Sequence, residues 1–304
     1  MSRPVSPVPV GSTTPSSPAV AGLPEPLHRS ETGLAQVQKS PPTVGLVIRF
    51  KNSAATLPGV LAAIGRQTVR PDLILAINNQ SADESPQLLQ AAGAQILDWT
   101  EPYHHSRVVN FAMSRCPTDL VLMLSSHTVL ESPDAIESLV KALADPRTAC
   151  ASGKWDADTF YSNNVDWAEL QSKGLKFGSI YSNSMGMVRR ALWEQVPFDE
   201  SLVTMEDSAW ALEQIKRGNF CRRLDFKFSY QRGGRARDFV FAVITFKLAA
   251  RHGLRVTWLG VKGTLLELLR GRRADSGVSS AQREALRQRL RAWALWRFIG
   301  MPAE

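Results

Sequence analysis

Through the first half of the ordered sequence, short uninterrupted apolar runs alternate with stretches of helical period. Val44-Gly45-Leu46-Val47-Ile48-Arg49-Phe50 is a short β-branched run that predicts a buried strand, followed by Lys51-Asn52-Ser53 as a loop and helix entry. Leu57, Leu61 and Ile64 then recur at helical spacing until Gln67-Thr68-Val69-Arg70-Pro71 breaks the pattern. Residues 73–77 and 94–97 read as further strands, 86–92 and 106–115 as helices, and 120–124 as a fourth strand. Strands alternating with helices predict a largely parallel sheet covered on both faces. Ligands of such sheets bind beyond the carboxyl ends of the strands. The polar clusters at 49–52, 78–83 and 125–128 fall at those ends.

Ser132-Pro133 predicts a capped helix whose buried face is Ile136, Leu139, Val140 and Leu143. Beyond residue 150 the pattern is irregular, apart from helical stretches at 189–195 and at 206–217, the latter closed by Gly218. From Asp238 onward the chain reads as helical. Residues 1–42 are dense in Pro, Ser, Thr and Val without either period, so they are expected to be disordered, with a linker or docking peptide as alternatives. The expected organisation is 1–42 disordered, 43–235 an α/β domain and 236–304 a helical, basic extension.

Composition narrows the partners. No run approaches the ~20 apolar residues a spanning helix needs, and the N-terminus lacks the apolar centre of a secretory signal, so a cytoplasmic protein is expected. Three scattered cysteines suggest neither a disulfide framework nor a zinc knuckle. The formal charge of +8 is concentrated late, residues 262–304 holding nine Lys or Arg against four Asp or Glu. Arg283, Arg287 and Arg291 alternate there with Leu286, Leu290, Trp293 and Trp296, a pattern that suits either an anionic membrane surface or packing with a solvated arginine face. No nucleic-acid reading motif accompanies the charge.

Four segments carry chemistry, and their order is informative. They are Val47-Ile48-Arg49-Phe50-Lys51-Asn52 with Gln67-Thr68 and Pro71; Asn78-Asn79-Gln80-Ser81-Ala82-Asp83; Ser125-Ser126-His127; and Phe198-Asp199-Glu200 followed by Glu206-Asp207 and a Trp210-bearing helix. Taken one at a time, each has a plain reading: a turn-rich loop for 78–83, a loop histidine for His127, an acidic helix start for Glu206-Asp207. In this order and spacing they resemble the inverting family 2 glycosyltransferases of GT-A fold, over about residues 43–235. The resemblance implies a mostly parallel sheet flanked by helices and transfer of a sugar from a nucleoside diphosphate donor to an acceptor hydroxyl.

By that resemblance Asp207 is the catalytic base, a role that needs one carboxylate placed to take the acceptor proton. Donor or acceptor contacts are implied for Asn52, Asn79, Ser81, Asp83, Arg107, Asn110, Ser125, Glu206 and Arg232, with Arg235 beside the last. The family's Asp-x-Asp motif, which holds a divalent cation on the donor phosphates, is replaced here by Ser125-Ser126-His127. His127 is therefore the candidate metal ligand, for Mn2+ or Mg2+, and an imidazole suits the former better. His104 and His105 stand adjacent with no acidic partner at ligand spacing, which favours surface or capping roles. The acceptor is a glycan, lipid or small molecule, the enzyme is either free in the cytoplasm or peripheral at the inner membrane face, and the rival reading is a non-catalytic nucleotide or glycan binder.

Overall fold

The computed structural model describes residues 40–155, 159–176, 180–231 and 238–256, together with Glu284, Arg287 and Ala294. Arg232, Arg235, nearly all of residues 1–42 and most of the basic C-terminal segment lie outside the described residues. The chain opens with β1 (Val44–Phe50), α1 (Leu57–Gly65), β2 (Leu73–Asn78), α2 (Ser85–Ala91), β3 (Gln95–Asp98), α3 (His105–Ser114) and β4 (Leu120–Ser125). It continues through β5 (Thr128–Leu130), α4 (Ala135–Ala142), β6 (Thr148–Gly153), β7 (Asn164–Val165), α5 (Trp167–Lys173), β8 (Met185–Arg189) and α6 (Arg190–Gln195). It ends with α7 (Glu206–Lys216), β9 (Phe220–Leu224), β10 (Phe228–Tyr230) and α8 (Asp238–Arg251).

The main sheet has eight strands in the order β3-β2-β1-β4-β8-β6-β9-β7. β3, β2, β1 and β4 are parallel neighbours, β8 enters antiparallel between β4 and β6, and β9 runs parallel to β6. The α/β expectation holds, and the parallel part is the part the strand pattern predicted. A separate antiparallel pair joins β5 to β10.

Alternation of side chains explains why the early strands show no alternation of polarity. Val47, Leu75, Ile77, Val121 and Met123 face one core, covered by Val108, Val109 and Met113 of α3, Trp210 and Leu212 of α7, and Ile244 and Leu248 of α8. Leu46, Ile48, Ala76, Leu122 and Leu124 face the other, covered by Leu57, Val60 and Ile64 of α1, Leu89 of α2, and Ile136 and Leu139 of α4. Both faces being covered, every position must be apolar, and each such Leu, Ile or Val contributes about 1.5–3 kcal/mol by burial. Because α8 shares the first core, the packed unit continues past residue 235.

One local expectation is corrected and another is narrowed. The Ser132 hydroxyl does not cap α4, which starts at Ala135; it accepts from the Lys227 N–H at 2.8 Å and so ties the β9–β10 connection to the chain after β5. His104 precedes α3 in extended backbone, and its ring makes no capping hydrogen bond. Gly218 does follow α7, at φ +90°, a conformation that favours glycine. No described helix is long and apolar enough to cross a membrane.

Candidate active site

Parallel register aligns the carboxyl ends of the strands: Arg49 opposite Ser125 and Ile77, Phe50 opposite Asn78, and Asn78 opposite Asp98. The loops after β1 and β2 then lock together. Asn52, at φ +47°, accepts from the Ala82 N–H at 2.8 Å, and its own N–H donates to the Ser81 hydroxyl at 3.1 Å. The Asn79 N–H donates to the Phe50 carbonyl at 3.0 Å. Asp83 accepts from the Ala54 N–H at 2.9 Å and from the Ser85 hydroxyl at 2.5 Å. The Ser85 hydroxyl bond is the main reason its carboxyl sits below the usual range. Asn52 with Ser81 and Ala82, and Asp83 with Ala54 and Ser85, thus hold the two loops together.

At the end of β4, Ser126 is buried and its hydroxyl meets that of Ser53 at 2.9 Å. The Thr56 hydroxyl donates to the Ser126 carbonyl at 2.7 Å and lies 3.3 Å from His127 Nδ1. Tyr230 presents its ring edge-on to the imidazole, with centroids 6.3 Å apart, and the Gln231 N–H donates to the His127 carbonyl at 2.8 Å. His127 is therefore clasped between the start of α1 and the end of β10. This strand end offers one imidazole and the hydroxyls of Ser125 and Ser126, without a carboxylate. Among the described residues no three His, Cys, Asp or Glu side chains gather as a metal cluster.

The expected base lies at the start of α7, which follows Met205 in left-handed backbone at φ +63°. Asp207 is half-buried, and its carboxylate accepts from the Asn183 N–H at 3.1 Å and the Ser208 N–H at 2.7 Å. Glu206 beside it is 4% exposed. The Asn183 side-chain amide donates to Glu206 Oε1 at 3.3 Å, and Arg49 Nη1 stands 3.9 Å from the same oxygen. Arg49 Nη2 also donates to the Asn183 carbonyl at 3.3 Å. One residue on, the Ser184 carbonyl accepts from the Ser125 N–H at 3.0 Å. The 182–184 segment therefore joins the ends of β1 and β4 to the acidic start of α7.

Electrostatics at this junction are unusual. Desolvation and the neighbouring Glu206 charge push the Asp207 carboxyl up to about 7, against the opposing pull of two backbone N–H groups and Arg49. Burial alone would lower the Arg49 guanidinium, but Tyr103, Glu206, Asp207 and Tyr181 together raise it. Burial pushes the Tyr181 phenol well up, helped by Cys150 and Asp207. A carboxyl poised near neutrality at the mouth of a sheet has the proton affinity a general base requires.

Around α3 the site residues divide. Asn110 spends its amide internally, donating to the Phe198 carbonyl and Glu200 Oε1, each at 2.9 Å, and accepting from Trp193 Nε1 and the Phe198 N–H, each at 3.0 Å. Arg107 is half-exposed, 3.7 Å from Glu200. Sequence reasoning missed Arg49, whose signal was a cation at the end of an apolar run, and also Thr56, Tyr230 and Asn183. Asn183 lies in an irregular stretch with no signal at all.

Comparison with known proteins reaches the loops after β1, β2 and β4 but not the start of α7. Residues 46–198, half of the chain, match the sequence model of the family described as Glycosyl transferase family 2. The chain belongs to that family. This family member is 27% identical over 195 residues to the O-antigen chain rhamnosyltransferase RfbN of Salmonella typhimurium, a match covering 58% of this chain and 62% of that relative's length. Among solved structures it resembles a mannosyltransferase of Pyrobaculum calidifontis in complex with GDP-Man and Mn2+, at TM-score 0.57 and 19% identity, covering 86% of this chain and 77% of that one. It also resembles glucosyl-3-phosphoglycerate synthase of Mycobacterium tuberculosis, at TM-score 0.54 and 14% identity, covering 70% and 81%. At such identities the structures share the GT-A fold. The family expected from the sequence stands, and Asp207 lies beyond the matched residues.

Proposed function

We propose that this family 2 enzyme transfers a sugar from a nucleoside diphosphate donor to an acceptor hydroxyl with inversion, Asp207 acting as base. The observation that carries the reading is the Asp207 carboxylate, fixed by two backbone N–H groups at the carboxyl ends of β1 and β4 and poised near neutral pH. A carboxylate so held keeps one orientation while it takes the proton from the attacking oxygen, and that proton transfer is worth roughly 10² to 10⁴ in rate. The interlocked loops carrying Asn52, Asn79, Ser81 and Asp83 would frame the base and ribose. Arg107, Ser125 and Arg232 are proposed for the diphosphate, and Glu206 tunes its neighbour.

His127 suits a divalent cation as a single borderline ligand, so donor phosphate oxygens would have to complete the shell. With imidazole and hydroxyls in place of carboxylates, Mn2+ is the better match than Mg2+. A bound cation would neutralise the departing nucleoside diphosphate. The solved relatives holding Mn2+ with GDP-Man or with UDP support testing it.

RfbN acts as a rhamnosyltransferase by name, which makes a nucleotide-activated rhamnose the first donor to assay, beside GDP-mannose and UDP-glucose. The acceptor is a glycan, a lipid or a small molecule, and the basic segment 279–304 supports a peripheral encounter with an anionic membrane. Release of nucleoside diphosphate from these donors, with and without Mn2+, tests the activity. Asp207→Asn keeps the shape but accepts no proton, so turnover should fall by roughly 10² to 10⁴ while donor affinity stays near the parent's. Parent-like turnover removes Asp207 from the mechanism, and donor binding with no turnover in the parent favours the binder reading.

A further inference from the structure

Arg49 is a cation at the end of an apolar strand, and its surroundings explain why a cation is kept there. Its side chain is 12% exposed, so a positive charge has been moved largely out of water, which is costly unless compensated. Its hydrogen bonding does little to compensate. Nη2 reaches the Asn183 carbonyl at 3.3 Å, while Nε and Nη1 have no hydrogen-bond partner among the described residues. What faces it is charge: Glu206 Oε1 at 3.9 Å, beyond hydrogen-bonding distance, with Asp207 next in the chain.

The arrangement has a consequence for the base. Asn183 grips both carboxylates, Asp207 through its N–H and Glu206 through its side-chain amide, and Arg49 grips Asn183 by the carbonyl between. A buried carboxylate and its half-buried neighbour cannot both ionise cheaply, and a nearby cation decides how much that costs. We infer that Arg49 is a positioning residue that, with Glu206, sets the pH at which Asp207 becomes able to accept the acceptor proton, Glu206 holding the proton on and Arg49 helping it off. Resting on the proposed base role, the inference adds the residues that tune it.

The groups facing this pair come from several elements. Glu206 lies on α7, Arg49 on β1, Tyr181 before β8 and Cys150 on β6, while Tyr103 acts on Arg49. Cys221 on β9 sits 3.4 Å from Cys150, sulfur to sulfur. Burial holds the Cys150 thiol and the Tyr181 phenol well above their ordinary ranges, so both stay protonated while Asp207 titrates. Arg49 is then the cation and Glu206 the anion that act on it.

The test is direct titration of the full chain, labelled with 13C at aspartate carboxyls, by NMR without any substrate; the Asp207 resonance is the one lost in Asp207→Asn. The parent midpoint should lie near 7. Glu206→Gln should lower it by about one pH unit or more, Arg49→Met should raise it, and Arg49→Lys, which keeps the charge, should return it close to the parent's. Opposite directions are the signature, because a merely loosened site would move both variants toward the ordinary carboxylate value. An Arg49→Met midpoint that is unchanged, or that falls with Glu206→Gln, overturns the inference. If Arg49→Met does not fold, an Asp207 midpoint that stays near 7 in Glu206→Gln overturns it equally. Failure of the base role would show instead as full turnover in Asp207→Asn, whatever the titration gives.

Discussion

Asn110 and Arg107 lie three residues apart on α3, and they separate a structural role from a surface one. Every polar atom of Asn110 is engaged with the 198–200 loop or with Trp193. Asn110→Ala would leave the Phe198 N–H and the Trp193 indole N–H unpaired in a part-buried setting, which costs about 2–4 kcal/mol in sum. Arg107, half-exposed and 3.7 Å from Glu200, makes a contact worth about 0–1 kcal/mol, so Arg107→Ala should leave stability nearly unchanged. Urea unfolding of both variants checks this, and an Asn110→Ala loss under about 0.5 kcal/mol would free that amide for a role outside the protein. The sequence put both residues at the donor because it shows spacing and residue type, whereas the direction an amide faces is set by a loop almost ninety residues away.

At the scale of elements, what could be read depended on how the strands are buried. β1, β2 and β4 sit inside the sheet with helices on both faces, so they announce themselves as nearly uninterrupted apolar runs. β6 is equally central but reads Thr-Ala-Cys-Ala-Ser-Gly, small residues without β preference, and its strand state comes from β8 and β9 on either side. β9 carries two arginines, and Arg223 is buried at 2% exposure because its guanidinium donates to the Tyr161 carbonyl at 2.8 Å. The second half of the sheet was hidden for that reason, and with it the 182–184 segment that holds Asp207. Glycines test how tightly the legible half is packed. A methyl on Gly45 in β1 would lie 2.2 Å from Cys116 Sγ and 2.5 Å from Thr118 Oγ1, so Gly45→Ala should cost about 1–3 kcal/mol. At Gly65, the last residue of α1, a methyl meets nothing within 4 Å, and Gly65→Ala should add up to about 1 kcal/mol through helix propensity. Thermal unfolding should move in opposite directions for the two, and equal shifts would mean that β1 yields where the packing says it cannot.

For the molecule as a whole, the fold persists against relatives at 19% and 14% identity while the site is written into loops and one helix start. Such a site draws on the stability of the scaffold, and Asp207 lets that be measured. Its carboxyl is raised from an ordinary 3.8 to about 7 in the folded chain, first by desolvation and then by Glu206. A raised carboxyl binds its proton more tightly folded than unfolded, so the native state is favoured most below the unfolded value, and that advantage is lost as pH rises through about 7. Above 7 the ionised Asp207 is a liability that folding must carry, on the order of a few kcal/mol. Asp207→Asn carries no such charge at any pH, although its amide can satisfy only one of the two N–H groups that the carboxylate accepts. The variant should therefore melt a few degrees above the parent at pH 8, and the difference should shrink by pH 5, where the folded parent is protonated and only the unfolded chain still carries the charge. Scanning calorimetry on both proteins at the two pH values decides it. A parent that melts higher at pH 8 as well would mean that Arg49 and the two backbone N–H groups fully compensate the carboxylate, and that Asp207 is held at no cost to the fold.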